Sequence, residues 1–406
     1  CPLPAASRPP GALRGCAPRG AAQAGGPPGA LDGAAKVRQM TSSATIAHIL
    51  DPLIDPRFAE QDLLLDKAFS SNDDHQVTRD YVRGFKRINV DSLDWAGDNL
   101  LMACKDGNLR LWDPDRAEKE RSWPGDWMSV QCDPNSPHVA AAVEWVGKFR
   151  VFDTRSSNQC SFDVDLKKTS SSMKEFLCLC WSPDSGYIAV SNRQDQVYLL
   201  DLRKPGSLCL GAHKNLQTEI NQMAWSQEGD SLWLATGGTP GKLHVFPAPA
   251  LNAAEGASVV AHQYAAISLA VDPRGRHIAC GGGDCLVTLW DPRHFVCTGS
   301  FGYATQAITT MSFNHTGNLL AWGTGNSGST GGEKNLTIVG TDTGTLYWQD
   351  TTPAPVQQVR WHPKKNLLAY TLNPSQLPEE RDVGRDRRGS GRDTAVVHTL
   401  KVPEIA

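Results

Sequence analysis

Four sets of residues in this 406-residue sequence are of types that could do chemistry. His262 precedes Asp284 and Trp290, and a histidine beside an aspartate is the pair that activates a nucleophile by general-base catalysis. Cys178 and Cys180 stand two apart, which on a strand places both thiols on one face, as the start of a metal site would. Gly323, Gly325 and Gly328 form a G-x-G-x-x-G run of the kind that cradles a pyrophosphate. Arg385, Arg387, Arg388 and Arg392 cluster as donors for RNA phosphate.

Each set has a plainer reading. No nucleophile stands at a matching position beside His262 and Asp284, and parts of the arrangement recur: Asp106 with Trp112, and Asp195 without a tryptophan. Recurrence marks a scaffold element. A buried indole N–H needs a partner or costs about 1–3 kcal/mol, and His262 and Asp284 can supply the network for Trp290. Gly282 stands where a serine or threonine would complete that set. The 11 cysteines include no C-x-x-C pair, so Cys178 and Cys180 read as core packing, with reduced thiols and no metal. The glycine run is followed by Leu-Thr-Ile-Val, a strand where phosphate binding needs a helix, so no cofactor is expected. The arginines sit in an insertion, residues 373–394, with five arginines against five acids, which reads as a solvated loop with RNA contact as the minor alternative.

The elements that position these residues come from a repeat. Alternating segments end in a large residue followed by a polar turn, with anchors at Trp95, Cys132, Trp181, Trp225, Val271, Phe313 and Trp361. Their spacing, roughly 40 to 50 residues, is that of a propeller blade. Each copy continues with a second strand, such as YIAVSN or HIACGG, and a third, such as NLRLWD or LVTLWD. Period-2 alternation with β-branched and aromatic enrichment supports strands. The fold is therefore expected to be all-β, a seven-bladed β-propeller over residues 76–402. The last copy supplies three strands, so residues 76–85 are expected to add the outer one and close the ring. Trp112 and Trp290 should wedge between sheets, and Asp291 should start a turn with Pro292. Lys105 and Arg193 fall in turns on one face of the ring, where they join the four arginines as candidate contacts for RNA or a partner.

Ahead of the ring, residues 1–40 are rich in Pro, Gly and Ala and read as a disordered low-complexity tail. The first methionine is Met40, and residues 1–39 are read equally as a native tail or as sequence outside the natural product. Residues 41–75 form an extension with one short helix, capped by Asp55 with Pro56 at its first turn and Phe58, Leu65 and Phe69 on one face. No apolar run approaches the roughly 20 residues of a membrane-crossing helix, so no membrane partner is expected. A net charge of -3 supplies no global basic field for nucleic acid.

Three segments carry a resemblance: CWSPDSGYIAVSN from Cys180, CLVTLWDPRHFVCTGSF from Cys285 and WHPKKNLLAYTLN from Trp361. They resemble the WD-repeat proteins and, among these, the THO complex subunit 3 family. The resemblance implies a non-enzymatic WD-repeat scaffold in the nucleus. Its implied partners are the other THO subunits, above all the large helical scaffold subunit, with messenger RNA touched indirectly or weakly and no small-molecule substrate. The implied process is the coupling of transcription to messenger RNA export. The alternative within the binding class is an adaptor such as a ubiquitin-ligase substrate receptor or a histone-binding subunit. A hydrolase working across the channel would need converging carboxylates, and the inner strands offer mostly Ser, Gln, Met and Cys.

Overall fold

The structure, a computed structural model, describes residues 77–82, 85, 87–116, 118–156, 160–168, 170–203, 209–251, 256–325, 334–377 and 395–403. The tail 1–40, the extension 41–75 in which a helix is expected, Gly328 and residues 378–394 of the arginine insertion lie outside these residues. The strands are β1 (Thr78–Tyr81), β2 (Val90–Ala96), β3 (Asn99–Cys104), β4 (Asn108–Asp113), β5 (Glu118–Pro124), β6 (Trp127–Cys132), β7 (Val139–Glu144), β8 (Lys148–Asp153), β9 (Cys160–Asp165), β10 (Phe176–Trp181), β11 (Tyr187–Asn192), β12 (Gln196–Asp201), β13 (Cys209–Asn215) and β14 (Ile220–Trp225). There follow β15 (Ser231–Thr236), β16 (Gly241–Pro247), β17 (Ala257–His262), β18 (Ala266–Val271), β19 (Ile278–Gly282), β20 (Val287–Asp291), β21 (Val296–Phe301), β22 (Ile308–Phe313), β23 (Leu319–Thr324), β24 (Asn335–Gly340), β25 (Leu346–Thr351), β26 (Val356–Trp361), β27 (Leu367–Leu372) and β28 (Val397–Lys401).

They pair into seven four-stranded sheets. Blade 1 is β2-β3-β4-β5, and blades 2 to 6 follow in chain order up to β22-β23-β24-β25. Blade 7 is β1-β28-β27-β26, so its outer strand comes from the other end of the propeller. Thr78 faces Lys401 and Tyr81 faces His398 across that pairing. Arg79 of β1 reaches blade 6, where its guanidinium pairs with Asp350 at 2.5 Å. The first strands of the blades are the inner ones; each packs on the next, and β26 packs on β2, which closes the ring. The chain is a seven-bladed β-propeller.

Apolar clusters fill the wedges between sheets. Trp290 packs with Trp233 and Val245 of blade 4 and with Leu269 and Ile278 of its own blade. Trp112 packs with Leu93 and Met102 of blade 1 and with Val359 and Trp361 of blade 7.

An inner strand has one ladder edge turned to the channel and the next blade, and buried unpaired N–H groups there would each cost about 1–3 kcal/mol. Side chains of the preceding blade accept from them. Ser92 Oγ takes Val130 N–H at 3.1 Å, Ser129 Oγ takes Leu179 N–H at 3.3 Å, Gln222 Oε1 takes Leu269 N–H at 2.8 Å and Thr310 Oγ1 takes Val359 N–H at 3.1 Å. One pleat further on, Asp94 Oδ2 takes Cys132 N–H at 2.7 Å, Gln131 Oε1 takes Trp181 N–H at 2.9 Å and Ser312 Oγ takes Trp361 N–H at 3.1 Å. The indoles of Trp95, Trp181 and Trp225 add bonds to Arg360 O, Gln131 O and Cys180 O of the preceding blades, at 3.0, 3.0 and 3.3 Å.

Candidate interaction faces

The turn between second and third strands and the loop entering each first strand share one face of the ring, called here the loop face. In blade 5 this face holds a hydrogen-bonded chain. His262 Nδ1 lies 2.9 Å from Asp284 Oδ1, whose other oxygen accepts Gln263 N–H at 3.0 Å. His262 Nε2 lies 3.3 Å from Thr288 Oγ1, and Trp290 Nε1–H donates to that hydroxyl at 2.9 Å. With hydrogen on Nδ1 a donor path runs from Trp290 through Thr288 to His262 and Asp284; with hydrogen on Nε2 the ring donates instead to Cys280 O at 3.2 Å. The hydroxyl missing from Gly282 is thus supplied by Thr288, from the third strand instead of the second. Gly282 is required where it stands, since a Cβ there would lie 2.3 Å from His262 Nδ1 and 2.4 Å from Asp284 Oδ1.

Thr288, His262 and Asp284 have the order of a hydrolytic triad but are buried or nearly so, and the Trp290 indole occupies the hydroxyl's acceptor site. No substrate carbonyl can reach that oxygen, so the arrangement holds the blade together.

Blade 1 departs from its expected network. Asp106 ion-pairs with Arg110 and does not meet Trp112, whose Nε1 is buried with no hydrogen-bond partner among the described residues. The place of the histidine is taken by Phe85, packed edge-on against Trp112 with ring centroids 5.5 Å apart, and the Arg110 guanidinium lies 5.8 Å from the Phe85 centroid. In blade 3, Asp195 occupies a left-handed turn position with φ 60° and contributes backbone bonds alone. The network there is Ser172, Asn192, Gln196 and Tyr198: Tyr198 O–H to Ser172 Oγ at 2.9 Å and Asn192 Nδ2–H to Gln196 Oε1 at 3.1 Å.

The aspartates that follow the third-strand aromatic positions cap turns. Asp113 Oδ1 accepts from Asp115 and Arg116 N–H, Asp153 Oδ1 from Arg155 N–H, Asp201 Oδ1 from Arg203 N–H and Asp291 Oδ1 from Arg293 N–H. The Arg155 side chain holds the Asp153 carboxyl down at about 2.

Cys178 and Cys180 lie at the seam of blades 3 and 4, where Cys178 takes the Met223 N–H, and burial pushes both thiols up. The Cys178 sulfur does there what Ser and Gln do at other seams. Gly323 and Gly325 are packing positions as well: a Cβ on either would lie 2.3 Å from Val356 or 2.4 Å from Pro355 of blade 7, and strand β24 follows. Among the described residues no group of three or more His, Cys, Asp or Glu is placed to hold a metal ion, and no helix is long and apolar enough to cross a membrane.

Two openings among the described residues lie at the ends of the channel. On the loop face the channel mouth is a cavity of ≈ 680 Å³ bounded by Asp91, Tyr264, Thr309, Pro355 and Gln358. Lys105 lies in the blade 1 turn and pairs with Asp91 at 3.4 Å, so it is tied to the mouth. Arg193 is exposed in the equivalent turn of blade 3. Beside the mouth, over blade 5, the exposed side chains of Tyr264, Leu286 and Tyr303 add an apolar surface that the sequence pattern did not single out. Gly283 and Gly302 lie against this surface, where added Cβ atoms would lie 3.3 Å from Tyr264 Cβ and 3.6 Å from Leu286 Cδ2. At the opposite end a cavity of ≈ 460 Å³ is walled by the anchors, Trp95, Trp181, Trp225 and Trp361 among them.

This geometry is that of a WD-repeat β-propeller, and the WD domain, G-beta repeat family matches residues 256–291, which hold His262, Asp284 and Trp290. The chain resembles THO complex subunit 3: it is 29% identical over 300 residues to the Arabidopsis thaliana protein of that name, covering 72% of this chain and 89% of the relative. It is also 28% identical over 159 residues to WD repeat-containing protein AAC3 of Dictyostelium discoideum, 38% of this chain and 32% of that protein. Among solved structures, the β-propeller domain of Myceliophteria thermophila Cps50 (Swd1) superposes with a TM-score of 0.60 at 15% identity, covering 80% of this chain and all of that domain, a likeness of fold.

Proposed function

We propose that this protein is a non-enzymatic scaffold subunit of a nuclear THO-type complex, coupling transcription to messenger RNA export. The observation that carries the reading is the 29% identity to THO complex subunit 3 over 300 residues, a span that takes in most of the propeller. The rigid ring supports it, since loops from several blades gather on one face around a mouth of ≈ 680 Å³. That mouth and the Tyr264, Leu286 and Tyr303 surface are the contact offered to the other THO subunits, above all the large helical scaffold subunit. Messenger RNA meets the assembly indirectly or weakly, with Arg193, Arg385, Arg387, Arg388 and Arg392 as its candidate contacts.

Affinity purification of the tagged chain from nuclei tests this. Recovery of the large helical THO subunit is expected, and Tyr264→Asp with Leu286→Asp should deplete it several-fold. Recovery of ubiquitin-ligase or histone-modifying subunits in its place would overturn the assignment.

A further inference from the structure

The residue before each anchor faces the channel and the next blade. In blades 1, 2 and 6 it is Asp94, Gln131 or Ser312, each of which accepts the N–H of the following anchor. In blades 3, 4 and 5 it is Cys180, Ala224 or Ala270, small and uncharged. Blade 7 alone puts an arginine there, and Arg360 has five donors and no acceptor. It cannot take the N–H of Trp95, so Asp94 Oδ1 does so at 2.9 Å while its other oxygen serves Cys132. Ala224 and Ala270 also leave the next N–H to other groups, but Arg360 is the one side chain at this position that brings donors where the other blades place acceptors or small groups.

Among the described residues its guanidinium makes a single hydrogen bond, to Val359 O at 2.9 Å, and it is half-buried at the ≈ 460 Å³ mouth. The inner-strand acceptors around it are committed to backbone N–H groups. Burial raises the Asp94 carboxyl, the Arg360 charge opposes that rise, and both carboxylate oxygens are held by N–H groups. With the lining carboxylates Asp94 and Asp133 engaged by N–H groups, the Arg360 fork fits a further planar acceptor with one negative charge.

We propose that this mouth binds an acidic side chain carried by an extended segment of a partner protein. Its carboxylate is received by the Arg360 fork, and its neighbouring carbons by the rings of Pro183 and Pro363 at the rim, with the buried edges of the anchor indoles behind them. A carboxylate matches a guanidinium in geometry and charge. A phosphate dianion would bring a second negative charge toward Asp94, which disfavours phosphopeptide and RNA. The site is independent of the assignment to a THO-type complex.

The test is selection of a displayed random decapeptide library on the full chain, with counter-selection on Arg360→Gln. Recovered peptides should share one Asp or Glu. A fluorescein-labelled representative should bind Arg360→Gln about tenfold more weakly, as should its own Glu→Gln version to the unaltered chain, while Arg360→Lys keeps part of the affinity. Arg360→Gln combined with Asp94→Asn preserves the charge balance and must also fail to bind; because Asp94→Asn removes one of the two N–H acceptors, near-ultraviolet circular dichroism checks that this variant is folded. No enrichment, a basic or phosphate-dependent consensus, or equal binding to all variants would overturn the site. If Arg360 merely balances Asp94, the single variant melts lower, the double variant regains the midpoint, and the peptides bind both alike.

Discussion

Blades 1 and 5 share the sequence Leu-Trp-Asp-Pro, and they hold its tryptophan by different means. In blade 5 the Trp290 indole donates to Thr288 and through it reaches His262 and Asp284. In blade 1 the Trp112 indole donates to nothing among the described residues and is packed by Phe85, with Arg110 over that ring and Asp106 bound to Arg110. Both tryptophans are wedged between sheets. The shared part of the motif is thus shape, and the polar wiring is separable from it. Blade 5 is also wired at its opposite end, where Arg274 and Arg276 pair with Asp272, and Arg276 continues to Asp342 of blade 6 at 2.7 Å.

The largest effect that would sharpen this contrast comes from Gly282→Ser. The repeat pattern suggests that a hydroxyl there would help, yet the site is already filled by His262 and Asp284, so overpacking should lower stability by about 1–3 kcal/mol in urea unfolding. A gain in stability would show that Thr288 is a poor substitute. Next in size is a matched pair. Trp290→Phe removes a donor whose bond is made and should cost about 1 kcal/mol more than Trp112→Phe, which removes one whose bond is not. Equal losses would break the comparison.

The smallest effect is a dependence on pH. Burial lifts Asp272 to about 7, against the pull of Arg276 and His277, while at Asp342 the upward push of burial is outweighed by hydrogen bonds from His277 and Arg276, which draw that carboxyl down. A carboxyl raised by folding binds its proton more tightly in the folded state, so that stabilisation is present at low pH and is lost as pH rises through about 7. Hydrogen exchange should show β18 and β22 losing protection between about pH 5 and about pH 8 relative to β2 and β6, and Asp272→Asn should flatten the difference.

The architecture was legible because it repeats. Seven anchors and their alternating strands can be counted, and Asp291 with Pro292 reads as a turn from local chemistry alone. The wiring was not legible, since its partners meet across a turn or a seam. Thr288 lies on a different strand from Gly282, the position it compensates. Phe85 replaces a histidine with a residue of another class, and Ser172 with Tyr198 rebuilds a network that shares no residue type with His262 and Trp290. The role of Ser92, Ser129, Gln131 and Gln222 was hidden for the same reason: each looks like an ordinary polar face until the neighbouring blade is beside it. Arg360 becomes conspicuous when those roles are known.

The pairing of β1 with β28 has a consequence for synthesis. Thr78 leaves the ribosome long before Lys401 exists, so the nascent chain must carry β1 as an unmated edge while six blades and most of the seventh are translated. Until the final strand emerges, that edge is open to strands of other chains, and a truncated product would keep it open permanently. A chaperone able to shield one extended segment would be of most use to this protein in that interval.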